Sequence, residues 1–339
     1  MIVQPVPRVS RLPQGLSSLR HRNFRLFWFG QFVSLAGTWM QTVAQGWLLL
    51  QLTNDPVALG ALAATQFMPV LVLGLFGGVV ADSVPKRRAL VATQVVSGAL
   101  ALILGLLVLA NSVQVWHIFV LAALLGVASA FDMPIRQSFV VEMVGREDLV
   151  NAVALNSAVF NGTRIIGPAI AGILIAGFGL APCFLINAAS YIAVIVGLVM
   201  MREEDLGRPP PSALERTPRS VLHHLAEGLR YVRDTPTTFL AIAIMGVIAT
   251  AALNFMVLLP LLAKDVLGGG ATEYGFLSSA AGLGSLMGAL ALAFGRPPTF
   301  RRLLVGGAAV GVSMVGLALS RWLLLSLGLM VLCGWGLIA

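Results

Sequence analysis

Apolar residues are gathered into long segments along this chain, and short polar connections separate them. A helix that crosses a membrane needs about 20 mostly apolar residues. Ten segments approach or exceed that length, at residues 26–52, 57–81, 89–110, 115–133, 152–176, 179–201, 237–263, 273–295, 303–319 and 322–339. The pattern therefore predicts an all-α membrane protein with ten spans.

Lys and Arg are distributed unevenly between the two sets of connections. Nineteen of the 22 lie in alternate connections, at residues 1–25, 82–88, 134–150, 202–236 and 296–302. The other set holds only Lys264 and Arg321, and Arg164 lies inside a span. Because positive residues are retained on the cytoplasmic side, this asymmetry predicts ten crossings with the N-terminus in the cytoplasm.

The longest connection divides the chain into two groups of spans. Residues 202–236 begin with a proline-rich polar stretch and continue with apolar residues on one helical face and polar residues on the other, a pattern typical of an interfacial helix. We expect a basic cytoplasmic tail at 1–25, a six-helix bundle at 26–201, this linker, and an incomplete bundle at 237–339. The tenth span ends the chain without a cytoplasmic flank, so we expect a C-terminally truncated fragment.

Composition supports a membrane protein and excludes several other classes. Hydrophobic residues make up 58% and charged residues 11% of the 339 positions, whereas a soluble domain averages about 25% charged residues. The net charge of +8 does not indicate nucleic-acid binding, because the basic residues lie between apolar spans. Cys183 and Cys333 each lie inside an apolar segment, so we expect no disulfide framework, metal site or cofactor.

The connection after the second span combines small, acidic and basic residues. Glycine permits close helix approach, the carboxylate can cap a helix or accept a charge-assisted bond, and the basic run anchors the loop at anionic headgroups. The pattern resembles the signature between the second and third helices of the major facilitator superfamily, which implies a gating role for Gly78, Asp82, Lys86, Arg87 and Arg88. A plainer interpretation is that the three basic residues only set topology.

Three further stretches resemble one branch of that superfamily. Leu19–Trp28, Phe131–Gln137 and Arg164–Pro168 are similar to the secretion-effector branch, which contains siderophore exporters, such as enterobactin exporters, and macrolide and multidrug efflux proteins. The resemblance implies the major facilitator fold, with two six-helix halves of which about ten helices are present here. It also implies a cavity lined by helices one, four, seven and ten.

A polar stripe follows one face of the first span. It consists of Gln31, Ser34, Thr38, Gln41 and Gln45. Polar side chains exposed to lipid would lose their hydrogen bonds, so the stripe must face a solvated cavity or a neighbouring helix, where interhelical bonds are worth about 0.6 kcal/mol each. We favour a substrate cavity, which Thr250 and Asn254 of the seventh span would line from the second half.

The fifth span contains the one charged residue near the middle of any span. Burying Arg164 costs at least about 2.5–3.5 kcal/mol, so we place it, with Asn161, in the substrate cavity as an anion-attracting point or a gating charge. The alternative is a permanent structural ion pair or a carbonyl cap. Gly167, Pro168 and Gly172 follow, and they resemble the glycine–proline antiporter signature of exporters.

Asp132 and Arg136 lie four residues apart at the predicted cytoplasmic end of the fourth span. An intrahelical pair at this spacing contributes only about 0.3–0.5 kcal/mol, so we interpret it as an interdomain latch that breaks as the cavity opens. All fourteen acidic residues lie in loops or at predicted helix ends. Asp82 and Asp132 are the nearest candidates for a proton carrier.

Together these features predict a secondary active transporter that exports a small, partly hydrophobic molecule, a siderophore or a drug, by alternating access. We expect protons as the coupling ion, contact with membrane lipid, a monomer, and a place in a bacterial plasma (inner) membrane. The chain carries no recognisable catalytic motif, so we expect no enzyme activity. Two alternatives stay open: an integral-membrane enzyme acting on lipid-linked substrates, and an inactive truncated fragment of a transporter.

Overall fold

A computed structural model describes residues 14–207, 230, 232–293 and 300–338. Inside these ranges, the side chains of a few helical residues, Asp82 and Asn254 among them, lie outside the described part. The interfacial helix predicted within 202–236 falls mostly on residues outside these ranges.

Ten long helices account for most of the described residues. They are α1 Arg22–Thr53, α2 Pro56–Ser83, α3 Lys86–Leu109, α4 Val115–Val144, α5 Leu149–Phe178, α6 Ala181–Val199, α7 Pro236–Leu261, α8 Ala271–Ala293, α9 Phe300–Leu319 and α10 Leu323–Ile338. Short helical turns precede α1 at Gln14–Arg20, follow α6 at Glu203–Asp205 and follow α7 at Leu262–Val266. Each long helix covers one of the ten predicted apolar segments.

Seven helices in the described residues are long and apolar enough to cross a membrane, judged by length and composition. They are α2 to α6, α8 and α9. The first helix has 32 residues but carries the polar stripe, and α10 is apolar but has only 16 residues. The prediction of an all-α membrane protein is confirmed.

The fourth helix is longer than its apolar segment. We predicted an end at residue 133, but α4 continues to Val144 and stops where Gly145 adopts a positive φ of 70°. Its last turns stay helical because apolar residues such as Ile135 and Phe139 are buried there and because the charged residues Arg136 and Glu142 find partners in neighbouring turns and helices. Asp132 therefore lies well inside a helix, and the prediction that every acidic residue lies in a loop or at a helix end is wrong.

Small residues allow the helices to cross closely. A Cβ atom on Gly30 of α1 would lie 3.0 Å from the Cα of Val194 on α6. Gly284 of α8 and Gly334 of α10 likewise face main-chain atoms of the opposite helix. Such contacts are typical of membrane helices, which associate through close van der Waals packing because lipid provides no hydrophobic driving force between them.

We call α1 to α6 the N-terminal bundle and α7 to α10 the C-terminal bundle. The N-terminal face is the end where residues 14–22 lie, and the far face is the opposite end. At the far face one buried apolar cluster contains residues of both bundles, including Leu59 and Phe184 from the first and Leu259 and Leu277 from the second. This cluster closes the molecule at that end.

The N-terminal face is organised differently. Its buried apolar cluster contains Phe24, Phe139, Val194 and Leu198, and every other buried member also belongs to the N-terminal bundle or its edge. Among the described residues, no buried apolar cluster joins the two bundles at this face. The bundles are therefore held together at the far face and along a seam between them.

Candidate functional site: two faces and a half-buried arginine between the bundles

The far face is closed by an aromatic pair and a polar contact. The rings of Trp47 on α1 and Tyr274 on α8 stack with centroids 6.2 Å apart and 24° between their planes. Both side chains are buried. Beside them the Lys264 ammonium donates to the Asn54 side-chain oxygen at 2.7 Å. Each contact joins one bundle to the other, so the two bundles are held together at this face.

A seam of small residues runs between α5 and α8 from the far face to the middle of the helices. Thr272 Oγ1 donates to the carbonyl of Gly172 at 3.3 Å, and Ser279 Oγ donates to the carbonyl of Ile165 at 2.7 Å. Gly275 faces the carbonyl of Pro168. These contacts use main-chain atoms of α5, so the two helices approach without interlocking large side chains.

The predicted antiporter-like residues lie at this seam and against α1. A Cβ atom on Gly172 would lie 3.0 Å from the Ala271 carbonyl oxygen of α8, and one on Gly167 would lie 2.7 Å from the Ala36 carbonyl oxygen of α1. Pro168 is buried between them. The three residues therefore let α5 contact both α1 and α8 closely.

Arg164 lies midway along α5, where α1, α5 and α8 meet. Its guanidinium carbon is 5.6 Å from the centroid of the Trp39 ring, and its Nη1 donates to Ser285 Oγ at 3.3 Å. Its Nε is buried and has no hydrogen-bond partner. In the described residues no carboxylate forms an ion pair with Arg164, so these residues give no support to the structural ion-pair alternative.

The polar stripe of α1 is buried in protein. Gln31, Ser34, Gln41 and Gln45 are all buried, and Thr38 bonds to a carbonyl of its own helix. Gln41 accepts a hydrogen bond of 2.7 Å from the Asn187 side-chain amide on α6. For Gln41, this contact supports the helix-to-helix alternative.

Of the other predicted cavity residues, Asn161 forms its described side-chain bond within its own helix. Asn161 donates to the Ser157 carbonyl one turn earlier in α5. Thr250 is exposed on α7, and the side chain of Asn254 lies outside the described part. Their roles stay predictions.

The basic run at the start of α3 binds the N-terminal bundle together. Lys86 donates to Glu142 on α4 at 2.6 Å. Arg87 donates to the carbonyls of Leu198 and Val199 at the end of α6, each at 2.7 Å, and to Glu203 at 2.9 Å. These carbonyls lie in the last turn of α6, where a helix leaves acceptors over, so the cation binds them and complements the helix dipole.

Two details of the predicted gate differ from expectation. A Cβ atom on Gly78 would stand in open space. A Cβ atom on Gly77 would instead meet the Ala130 carbonyl oxygen of α4 and lie 3.1 Å from the Pro134 side chain. Close approach of α2 to α4 therefore depends on Gly77, because the two positions point about 100° apart on a helix. Arg88 is exposed, and Asp82 lies outside the described side chains.

Asp132 is held by three side chains of its own bundle. Its Oδ1 accepts from Thr93 Oγ1 at 2.7 Å and from Gln94 Nε2 at 2.8 Å. Its Oδ2 pairs with Arg136 at 2.7 Å, and that guanidinium lies 5.7 Å from the ring centroid of Phe27. These three partners of Asp132, and Phe27 beside Arg136, all belong to the N-terminal bundle, so in the described residues this pair does not bridge the two bundles, and the interdomain latch stays a prediction.

Comparison with known proteins identifies the architecture. A family model described as transmembrane secretion effector matches residues 14–339. The chain belongs to this family. The major facilitator assignment is thereby confirmed, and the protein is a transporter rather than an enzyme. With its membrane-capable helices and bacterial relatives, it is a multi-pass protein of the plasma (inner) membrane.

Relatives of this transporter include exporters of two kinds. The chain is 30% identical over 302 residues to the multidrug efflux pump Tap of Mycolicibacterium fortuitum, covering 86% of this chain and 72% of that one. It is 26% identical to the staphyloferrin A transporter of Staphylococcus aureus, covering 79% and 66%, and 28% identical to the enterobactin exporter EntS of Escherichia coli, covering 95% and 76%. The chain therefore spans about two thirds to three quarters of these relatives.

Solved structures share the fold. The nucleoside transporter NupG, in a point-mutant form, matches with a TM-score of 0.71 and 13% identity, over 96% of this chain and 80% of that one. A bacterial homologue of the lysosomal transporter Spinster, inward-facing and unoccupied, matches with a TM-score of 0.67 and 13% identity, over 97% and 74%. At this identity the likeness shows the fold alone.

Sequence reasoning missed the far-face contacts and a polar cluster at the N-terminal face of the transporter. Asp148, before α5, accepts hydrogen bonds from Ser17 at 2.8 Å, Arg20 at 2.8 Å and His21 at 2.7 Å. The hydrogen bond from His21, together with those from Ser17 and Arg20 and the positive charge of Arg20, holds the pKa of Asp148 below its usual value. The cluster fastens the turn before α1 to the start of α5. The stretch Leu19–Trp28 was noted only for its family resemblance.

Proposed function

We propose that the transporter is a secondary exporter of small, partly hydrophobic molecules, siderophores or drugs. The relatives support this class, since those reported above are named as a drug efflux pump, a siderophore transporter and a siderophore exporter. The protein would work as a monomer surrounded by membrane lipid, with its N-terminus in the cytoplasm, as the positive-charge asymmetry indicates.

We propose alternating access as its mechanism. The observation that carries this proposal is the difference between the two faces: a buried cluster joins the bundles at the far face, and none in the described residues joins them at the N-terminal face. Such a molecule exposes its interior to one side at a time if the bundles rock about the seam. With the N-terminus in the cytoplasm, the present form is open inward.

The rocking units would be residues 26–201 and 237–339, with 1–25 as a cytoplasmic tail and 202–236 as the linker. The α5–α8 seam supports this division, because it lies between the two bundles and contains small residues and main-chain acceptors. Lys86, Arg87 and Arg136 would act indirectly in gating, by keeping the N-terminal bundle rigid as it turns.

Coupling to protons is proposed through Asp132. It is the acid that the structure places inside a long helix, and it is held by Thr93, Gln94 and Arg136. Protonation would remove the charge that holds Arg136, whose Nη1 is already buried without a partner. Proton uptake would then weaken contacts between α3 and α4. Asp82 is the second candidate.

A reversible cross-link at the far face tests alternating access. In a background with Cys183→Ser and Cys333→Ser, the pair Asn54→Cys and Lys264→Cys replaces the contact between Lys264 and Asn54. Inside-out vesicles energised with a proton gradient are tested for accumulation of ethidium and, separately, of an iron-free siderophore. Oxidation should stop accumulation, and a reducing agent should restore it.

Two controls complete this experiment. The single variant Asn54→Cys should transport equally before and after oxidation, and a protonophore should abolish accumulation in the reduced protein. Full transport by the cross-linked pair would refute alternating access through this gate. Accumulation that persists in the presence of the protonophore would refute proton coupling, but it would not contradict alternating access through this gate.

A further inference from the structure

Arg164 is a half-buried cation for which the described residues supply no matching anion. A charged side chain at this depth costs several kcal/mol unless it is paired, so such residues usually mark a functional path. Between residues 237 and 339 the sequence contains only two acids, Asp265 and Glu273. Both lie near the far face, and Glu273 accepts from the Gly270 backbone N–H at 2.6 Å. Neither belongs to the middle of the bundle.

The contacts that Arg164 makes offset little of the free-energy cost of placing its charge inside the membrane-spanning region. Ser285 Oγ accepts from Nη1 at 3.3 Å, while the same hydroxyl is within donating distance of the Ala281 carbonyl at 3.0 Å and the Gly334 carbonyl at 3.3 Å. One long bond to a neutral hydroxyl leaves most of the guanidinium donors unused, and Nε is buried without any partner. A guanidinium presents five N–H donors in a planar fork that matches a carboxylate.

One aromatic ring lies beside Arg164, and a second ring packs against the first. The guanidinium lies over the Trp39 ring, and Trp39 in turn meets Phe160 edge to face, with centroids 5.6 Å apart and 69° between planes. A cation beside this aromatic pair suits a ligand that has both an oxyanion and a planar apolar body. A cationic drug would meet like charge here and would find no described carboxylate to offset it.

We propose that Arg164 binds an anionic group, a carboxylate or a comparable oxyanion, of the molecule that is transported. This inference rests on the proposed export function and narrows its substrate class to amphipathic anions. Arg164 belongs to the N-terminal bundle and Ser285 to the C-terminal bundle, and the two are bonded directly at 3.3 Å, so an anion that binds the unused donors of Arg164 beside Ser285 would contact both bundles at once. Binding of the anion would therefore neutralise the charge of Arg164 at the contact between the two bundles.

Binding by the purified protein tests this assignment without a gradient. The probes are 2-naphthoate and 2-naphthylmethylammonium, which share one aromatic body and carry opposite charges, and inorganic phosphate as a simple anion. The midpoint of thermal unfolding in detergent is measured against the concentration of each probe. For the wild type, 2-naphthoate should raise the midpoint in a saturable way, and the ammonium probe should not.

Three variants assign the effect to one side chain. Arg164→Gln should weaken the apparent affinity for 2-naphthoate at least tenfold, and Arg164→Lys should keep part of it because the charge remains but the fork is lost. Arg25→Gln is the matched control, since Arg25 is exposed at the start of α1, and it should bind as the wild type does. If Arg164→Gln does not fold, the comparison of the two naphthyl probes on the wild type and on Arg164→Lys still tests whether Arg164 binds the anionic group.

Several outcomes would overturn the proposal. They are no stabilisation of the wild type by 2-naphthoate, equal stabilisation by the ammonium probe, and unchanged affinity in Arg164→Gln. Phosphate that competes fully with 2-naphthoate at equal concentration would assign the site to inorganic anions instead of a substrate. None of these results depends on transport, so they are separate from failure of the vesicle experiment, which concerns the export function itself.

Discussion

The stacked pair Trp47 and Tyr274 should set the balance between the closed and open forms of the far face. Because the rings lie on different bundles, with centroids 6.2 Å apart, the contact exists only while that face is closed. Tyr274→Leu keeps an apolar side chain in the gate and removes the ring. Aromatic pairs contribute about 0.5–1.5 kcal/mol beyond the area they bury, so the open-to-closed ratio should rise roughly two- to thirteenfold.

Distances between spin labels measure this ratio directly. Labels at Ser112, in the turn after α3, and at Arg321, before α10, are exposed on different bundles and lie outside the gate. In lipid nanodiscs, Tyr274→Leu should increase the long-distance component by the factor given above, relative to the unsubstituted pair of labels. A second pair within the N-terminal bundle, at Ser112 and Phe178, should keep its distribution.

Two results would refute this reasoning. An unchanged Ser112–Arg321 distribution would mean that the aromatic pair contributes nothing to closure. A broadened Ser112–Phe178 distribution would mean that the substitution loosens the N-terminal bundle itself, and the effect would not belong to the gate.

Three further predictions concern the N-terminal bundle and its orientation. Gly77→Val should lower stability by about 1–3 kcal/mol through overpacking, whereas Gly78→Val, which meets open space, should not; equal melting temperatures would contradict the assignment. The pKa of Asp148 is lowered, so the stability that its charge contributes is present above the usual value of about 3.9 and is lost as the pH falls through the lower pKa of the folded state. Asp148→Asn should therefore be less stable than wild type at pH 7, and the difference should shrink as the pH falls below the usual value; a difference that stays constant in acid would exclude this origin. With the N-terminus inside, Ser83→Cys should resist an impermeant thiol reagent in intact cells while Ser112→Cys reacts, and the reverse pattern would invert the topology.

The positions of the helices were predictable because hydrophobic length determines where a chain can cross a membrane. Each of the ten segments became a helix, and the family resemblance gave the correct fold. The end of α4 was not predictable from polarity, because Arg136 and Glu142 look like loop residues until their partners are known. Those partners lie on the same helix in one case and on α3 in the other.

The candidate site was predictable only in part. Arg164 could be identified because a charge inside an apolar segment is unusual. Gly77 could not be distinguished from Gly78, since the choice depends on which face of α2 meets α4. Trp47 and Tyr274 lie far apart in the sequence and inside apolar segments, where an aromatic residue gives no sign of its partner.

Under the proposed mechanism, the seam between α5 and α8 keeps the motion of the bundles independent of substrate recognition. Its two hydrogen bonds from Thr272 and Ser279 end on main-chain carbonyls, which every amino acid supplies, so the hinge tolerates drift in the α5 side chains that accept them. Residues that contact cargo can then diversify while the moving parts keep their fit. Under the proposed mechanism, a transporter built in this way could acquire a new substrate through a few substitutions around Trp39 and Arg164, without change to the seam about which its bundles move.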